Sequence, residues 1–210
     1  MPNPTEIVSH WIDAQPEGTL IRGQDLAHLV NRGSASRSLA RLAQHGRLMR
    51  VARGVYVTAT ASRFGPVPPP VDKVVQSLAS ITGHAIVRHG AAAANALGLT
   101  KQVPVRQIYL TDGSARTLKL GRQVIEIRRA PKWMLVLGDC VAGDVVRALE
   151  WLGPDLAAEA VGKLAGRIGH DDWRTVLDAR AHLPTWLALA IQEGVPGISA
   201  GSFSSVDIHK

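Results

Sequence analysis

Apolar residues recur at helical spacing in the first part of the chain. Ile7, Val8, Trp11 and Ile12 predict a helix over 5–15 with Thr5 as its N-cap, ended by Pro16-Glu17-Gly18. A short extended piece, Thr19-Leu20-Ile21, follows. Leu26, Leu29 and Val30 then predict a second helix over 24–30. A third runs from a cap at Ser34 or Ser36 to about Gln44. At 100° per residue it carries Ala35, Leu39, Leu42 and Ala43 on one face and Arg37, Ala40, Arg41 and Gln44 on the other. After His45-Gly46 the pattern becomes extended. Strands are expected over 47–51 and 55–57, joined by the turn Ala52-Arg53-Gly54.

The stretch 63–70 holds four prolines in eight residues, which reads as a stiff linker between domains. The alternative is that it packs along the surface of one merged fold. Beyond it come a helix over 71–81, an alanine-rich helix ended by Gly98, a strand over 106–111, and a hairpin of 117–120 with 124–128 around Gly121-Arg122. Helices follow over 141–152, 155–167, 171–181 and 185–193, divided by Gly153-Pro154, Gly169-His170 and Pro184. The expected organisation is an α+β chain: a winged helix-turn-helix over 1–62, a linker over 63–70, a mixed domain with a helical end over 71–195, and a flexible Gly/Ser-rich tail over 196–210.

Charge sharpens this picture. The formal net charge is +7, but it is unevenly spread: residues 1–65 carry +4, residues 66–140 carry +6 and residues 141–210 carry −3. A polyanionic partner is therefore sought in the first two thirds. From Arg32 to Val57 there are six arginines and no Asp or Glu. The helix-then-ribbon order with a serine-arginine outer face points to double-stranded DNA. In helix-turn-helix proteins the N-terminal part of the recognition helix meets base edges and phosphates, and a wing touches backbone or minor groove. The candidate DNA-binding residues are Ser34, Ser36, Arg37, Arg41, Gln44, Arg50 and Arg53. Lys119, Arg122, Arg128 and Arg129 are a candidate second basic surface.

Catalysis finds little support. There is no HExxH, CxxC or Walker-type GxxxxGK, and no Gly-x-Ser-x-Gly elbow accompanies Ser114. His89 reads as a structural or capping histidine, and His170-Asp171-Asp172 as a helix start. Cys140, the only cysteine, reads as a small buried residue. Trp133, Trp151, Trp173 and Trp186 read as core or interface anchors of the helical end. No secretory signal and no spanning helix is visible, so the expectation is a soluble cytoplasmic protein that is not an enzyme and uses no cofactor or metal.

Three segments, RGQDLAHLVNRGSASRSLARLAQHGRLMRVARGVYV, VRHGAAAANALGLT and QIYLTDGSARTLKLGRQVIEIRRAP, together cover about half the chain. In this order they resemble the AbiE-type (AbiEi-like) antitoxin and transcriptional-regulator family of type IV toxin–antitoxin systems. The resemblance implies an N-terminal winged helix-turn-helix and a C-terminal antitoxin domain. It implies repression of the protein's own operon through promoter repeats, and antagonism of a nucleotidyltransferase-type toxin without necessary direct contact. It carries the DNA-binding role onto Ser34, Ser36, Arg37, Arg41, Arg50 and Arg53, and carries no catalytic residue. The competing expectation is a protein-interaction module that neutralises a toxin by direct binding.

Overall fold

In a computed structural model the described residues are 3–60, 62–63 and 65–194. The tail expected over 196–210 lies outside them. The protein is α+β and divides into two compact units, Met1–Ile86 with Val105–Arg129, and Val87–Pro104 with Ala130–Lys210.

The first unit opens with α1 (Pro4–Asp13). Its N-cap is Asn3 rather than Thr5: the Asn3 side chain accepts the Thr5 N–H, and Glu6 closes a capping box. β1 (Leu20–Arg22) leads into a 3₁₀ turn, Gly23–Leu26, where a helix over 24–30 was expected. So short a segment gains few helical hydrogen bonds for the residues it must order. Asp25 instead holds the Arg22 N–H at 2.7 Å and its guanidinium at 2.9 Å, which closes the turn. Then come α2 (Arg32–Gln44), β2 (Leu48–Ala52) and β3 (Val55–Thr58). The three strands form an antiparallel sheet in the order β1-β3-β2, and the register of β2 shifts between Arg50 and Ala52. α3 (Val71–Thr82) follows, β4 (Ile86–Arg88) contains the crossing to the second unit, and α4 (Gly90–Ala96) lies in that unit. The chain returns to the first unit for β5 (Gln107–Thr111), β6 (Arg116–Leu120) and β7 (Gln123–Arg129). β7 pairs parallel with β5 and antiparallel with β6.

The β1-β3-β2 sheet is apolar on both faces, and this decides the unit's extent. Ile21, Leu48 and Tyr56 pack with Val8, Ile12, Leu26, Leu39 and Leu42 of the helical side. Leu20, Val51 and Val57 pack on the opposite face with Val74, Val75 and Leu78 of α3 and with Leu118, Leu120, Ile125 and Ile127 of the hairpin. The expected division at 63–70 therefore does not coincide with a boundary between compact units. A sheet with two apolar faces needs two covers, and α3 with the β6–β7 hairpin supplies the second. Parts of the proline stretch touch this unit. Thr60 and Val67 form a β-bridge, Pro66 lies against Gly46, and Pro68 lies against Gly121.

The second unit is mainly helical: α4, then α5 (Val141–Leu152), α6 (Pro154–Ala165), α7 (His170–Asp178) and α8 (Thr185–Gly194). Its core joins Val145, Val146, Leu149, Val161, Leu164, Trp173, Val176, Leu187 and Ile191. Trp173 is buried, Trp133 and Trp186 are half-buried against this core, and Trp151 is exposed. The alanines of α4 allow close approach to α5, with Ala93, Ala94 and Ala148 buried together. Arg147 is fully buried. Its guanidinium donates to Asp144 at 2.8 Å and to the Gly138 and Met134 carbonyls at 3.0 and 3.2 Å. Cys140 is exposed rather than buried and serves as N-cap of α5, its thiol donating to the Leu137 carbonyl.

Candidate nucleic-acid interface

α2 is set by its cap and by its buried face. Asn31 Oδ1 accepts the Ser34 N–H at 2.9 Å, so the helix begins ahead of both serines considered for this role. Ala35, Leu39 and Leu42 are buried, and Ser38 joins them. Buried hydroxyls need partners, and the Ser38 hydroxyl meets that of Thr5 at 3.2 Å, tying α1 to α2.

The opposite face carries the candidate residues. Ser36, Arg37, Arg41 and Gln44 are exposed, and Ser34 is half-buried. With Asn3 and Thr5 of α1, the residues Ser34, Arg37, Arg41 and Gln44 line a shallow groove of about 420 Å³. Arg37 reaches the Ser34 hydroxyl at 3.5 Å. Beyond the helix, Arg50 is exposed and donates from Nε to the Ala52 carbonyl at 3.4 Å. Arg53 is exposed in the ribbon turn, beside a Gly54 whose φ of +72° suits a residue without a side chain. Among the described residues, Arg32, Arg37, Arg41, Arg50 and Arg53 form no ion pair.

Arg47 differs from these five. Its guanidinium pairs with Asp13 and donates to the Ser9 hydroxyl at 2.8 Å, so it fastens the start of β2 to α1. Sequence periodicity gave no sign of this, because the partners lie 34 and 38 residues away.

The four residues of the candidate second basic surface do not form one surface. Lys119 and Arg128 stand on the same face of the hairpin, with Val124 and Glu126. Arg128 is held by Glu126 at 2.5 Å, and that guanidinium keeps the Glu126 carboxyl below its usual pKa. Alternation puts Arg129 on the other face of β7, and Arg122 lies in the turn between the strands.

His89 caps α4, its Nδ1 accepting the Ala91 N–H at 3.2 Å. Asp171 and Asp172 occupy the first turn of α7, where they complement the helix dipole. Among the described residues no helix is long and apolar enough to cross a membrane.

Fold and site thus define an α+β protein whose first unit exposes a basic helix followed by a basic two-stranded ribbon. By sequence the chain belongs to a family of unknown function, DUF6088, whose model matches residues 7–168. No curated protein matches it. Among solved structures it is similar to the RV2827C protein from Mycobacterium tuberculosis, with 16% identity over 92% of this chain and 79% of that one and a TM-score of 0.50. That likeness concerns the fold.

Proposed function

We propose that the protein is a DNA-binding transcriptional repressor of its own operon and the antitoxin of a type IV toxin–antitoxin system. The DNA-binding part is carried by one observation. Arg37, Arg41 and Gln44 share the exposed face of α2, Arg53 stands at the tip of the ribbon that follows, and none of the three arginines is neutralised by a carboxylate among the described residues. The order α1, β1, turn, α2, β2, β3, with strands arranged β1-β3-β2, supports reading this segment as a winged helix-turn-helix whose second helix is reduced to a 3₁₀ turn. In that reading the N-terminal half of α2 enters the major groove, with Arg37 and Arg41 on guanine edges or phosphates. Arg50 and Arg53 then hold the neighbouring backbone.

The antitoxin part rests on the resemblance to the AbiE-type family in the three segments quoted above. Its functional partner is a nucleotidyltransferase-type toxin. A second reading, direct neutralisation of that toxin by an interaction surface, is favoured by the exposed apolar side chains Trp151, Leu156 and Leu189 of the second unit.

The test is a mobility shift on the DNA upstream of the gene. Wild type shifts the fragment, and the Arg37→Ala/Arg41→Ala protein does so only weakly. An equal shift by both proteins removes α2 as the recognition element. Co-purification with the product of the neighbouring gene separates the two modes of antagonism, since a complex that survives high salt favours direct neutralisation.

A further inference from the structure

Beneath the ribbon, on the face of the β1-β3-β2 sheet turned away from α2, the first unit holds a cavity of about 320 Å³. Its walls are mostly apolar, with Leu20, Ala52 and Val55 from the sheet, Leu78 and Ile81 from α3, and Leu118 from β6, while Thr82, Ser114 and Thr117 add hydroxyl-bearing side chains. Two arginines also line it, and both occupy strand positions whose neighbours in alternation are core residues. Arg22 follows Leu20 on the inner face of β1 and is in register with Val55. Arg116 precedes Leu118 and Leu120 on the inner face of β6 and is in register with Ile127. An apolar side chain is what such positions ordinarily carry.

The two guanidiniums are not equivalent. Arg22 is neutralised by Asp25 at 2.9 Å. Arg116 reaches only the Ser114 carbonyl, at 3.4 Å, and among the described residues has no carboxylate partner. Arg116 is half-buried as a residue, and a guanidinium beside apolar walls is complementary to a carboxylate with an apolar body. At about 30 Å³ for each water-sized group, the cavity has room for a small ligand of roughly ten such groups.

We infer that this cavity binds a small amphipathic carboxylic acid, its carboxylate on Arg116 and its apolar body against Leu20, Val55, Leu78 and Leu118. Ala52 and Val55 flank the ribbon turn that carries Arg53, so an occupant bears on the position of the wing. This regulatory consequence rests on the proposed DNA-binding reading, whereas the ligand site does not.

The probe is octanoate, compared with octan-1-ol and octylamine, titrated into the full chain and followed by amide resonances. Octanoate is expected to shift the amides of Ala52, Val55 and Leu118 and to bind at least about tenfold more tightly than either analogue, since a charge-assisted contact separates them. Arg116→Gln is expected to abolish that preference, and Arg106→Gln, outside the cavity, to preserve it. The analogue comparison in wild type stands even if Arg116→Gln fails to fold. Equal binding of acid and alcohol, or no shift at the three amides in the millimolar range, overturns the inference and leaves a packing gap. In the DNA titration, saturating octanoate is expected to change the affinity for the upstream fragment. An unchanged affinity overturns the regulatory consequence. Octanoate binding by a protein that binds no DNA would sink the repressor reading and leave the ligand site standing.

Discussion

The pairing of Arg47 with Asp13 separates two kinds of arginine on one basic segment, and the salt dependence of DNA binding measures the difference. Five arginines of this segment, Arg32, Arg37, Arg41, Arg50 and Arg53, are exposed without a carboxylate partner among the described residues, while Arg47 is held by Asp13. If each of the five neutralises one phosphate, the log of the affinity falls with the log of salt at a slope of about −4.5, since each contact contributes about −0.9. Arg37→Ala/Arg41→Ala removes two contacts, which brings the slope to about −2.7. It also weakens binding by at least about 2 kcal/mol, roughly 30-fold, if either arginine reads a base edge. Arg47→Ala loses an exposed ion pair, for which about 0–1 kcal/mol of stability is expected, and leaves the slope unchanged. Fluorescence anisotropy on labelled upstream DNA over a series of salt concentrations gives all three slopes. The reasoning fails if Arg47→Ala flattens the slope as much as the double substitution does, or if the double substitution leaves it near the wild-type value.

Four further expectations concern the scaffold. A Cβ on Gly90 would lie 2.3 Å from the Arg147 carbonyl oxygen and 2.6 Å from Trp151 Cβ, so Gly90→Ala should destabilise the second unit by about 1–3 kcal/mol. By contrast Gly162→Ala, in open space within α6, should stabilise it by up to about 1 kcal/mol; urea titrations of both variants check the pair. A fragment ending at residue 70 should lack a cooperative thermal transition, because Leu20, Val51 and Val57 lose their cover, while a fragment of 1–129 should retain one in the first unit; a sharp transition in the shorter fragment would refute the two-faced sheet. Glu17, bound by Lys73 and Thr60, has a lowered pKa, so its contribution is present above the unfolded-state value and is lost as pH falls through the folded one. Glu17→Gln should accordingly show a shallower decline of the urea midpoint on acidification than wild type does, and an unchanged decline would remove the Lys73 contact as its cause.

Much of the candidate site was legible in the order of residues. The 3.6-residue period alone put Leu39 and Leu42 inward and Arg37, Arg41 and Gln44 outward, and all five lie so. Gly46, Gly54, Gly121 and Pro154 marked turns and helix starts at the places where the chain bends, because their backbone constraints act locally. The groove beside α2 was not legible, since Asn3 and Thr5 reach it from α1 through the Thr5–Ser38 contact.

Other features depend on what meets what across the fold. Whether an arginine is available to a phosphate depends on a carboxylate brought near it through space, as Asp13 is to Arg47, and periodicity carries no information about that partner. The extent of the first unit depends on the second apolar face of the β1-β3-β2 sheet. Leu20, Val51 and Val57 announce that face as hydrophobic residues, but only packing shows that α3 and the hairpin cover it. By itself, then, the sequence determined the local elements, their faces and the concentration of positive charge from Arg32 to Val57. The tertiary structure decided which of those charges stay unpaired, because neutralisation and burial are set by distance in space and not by position along the chain.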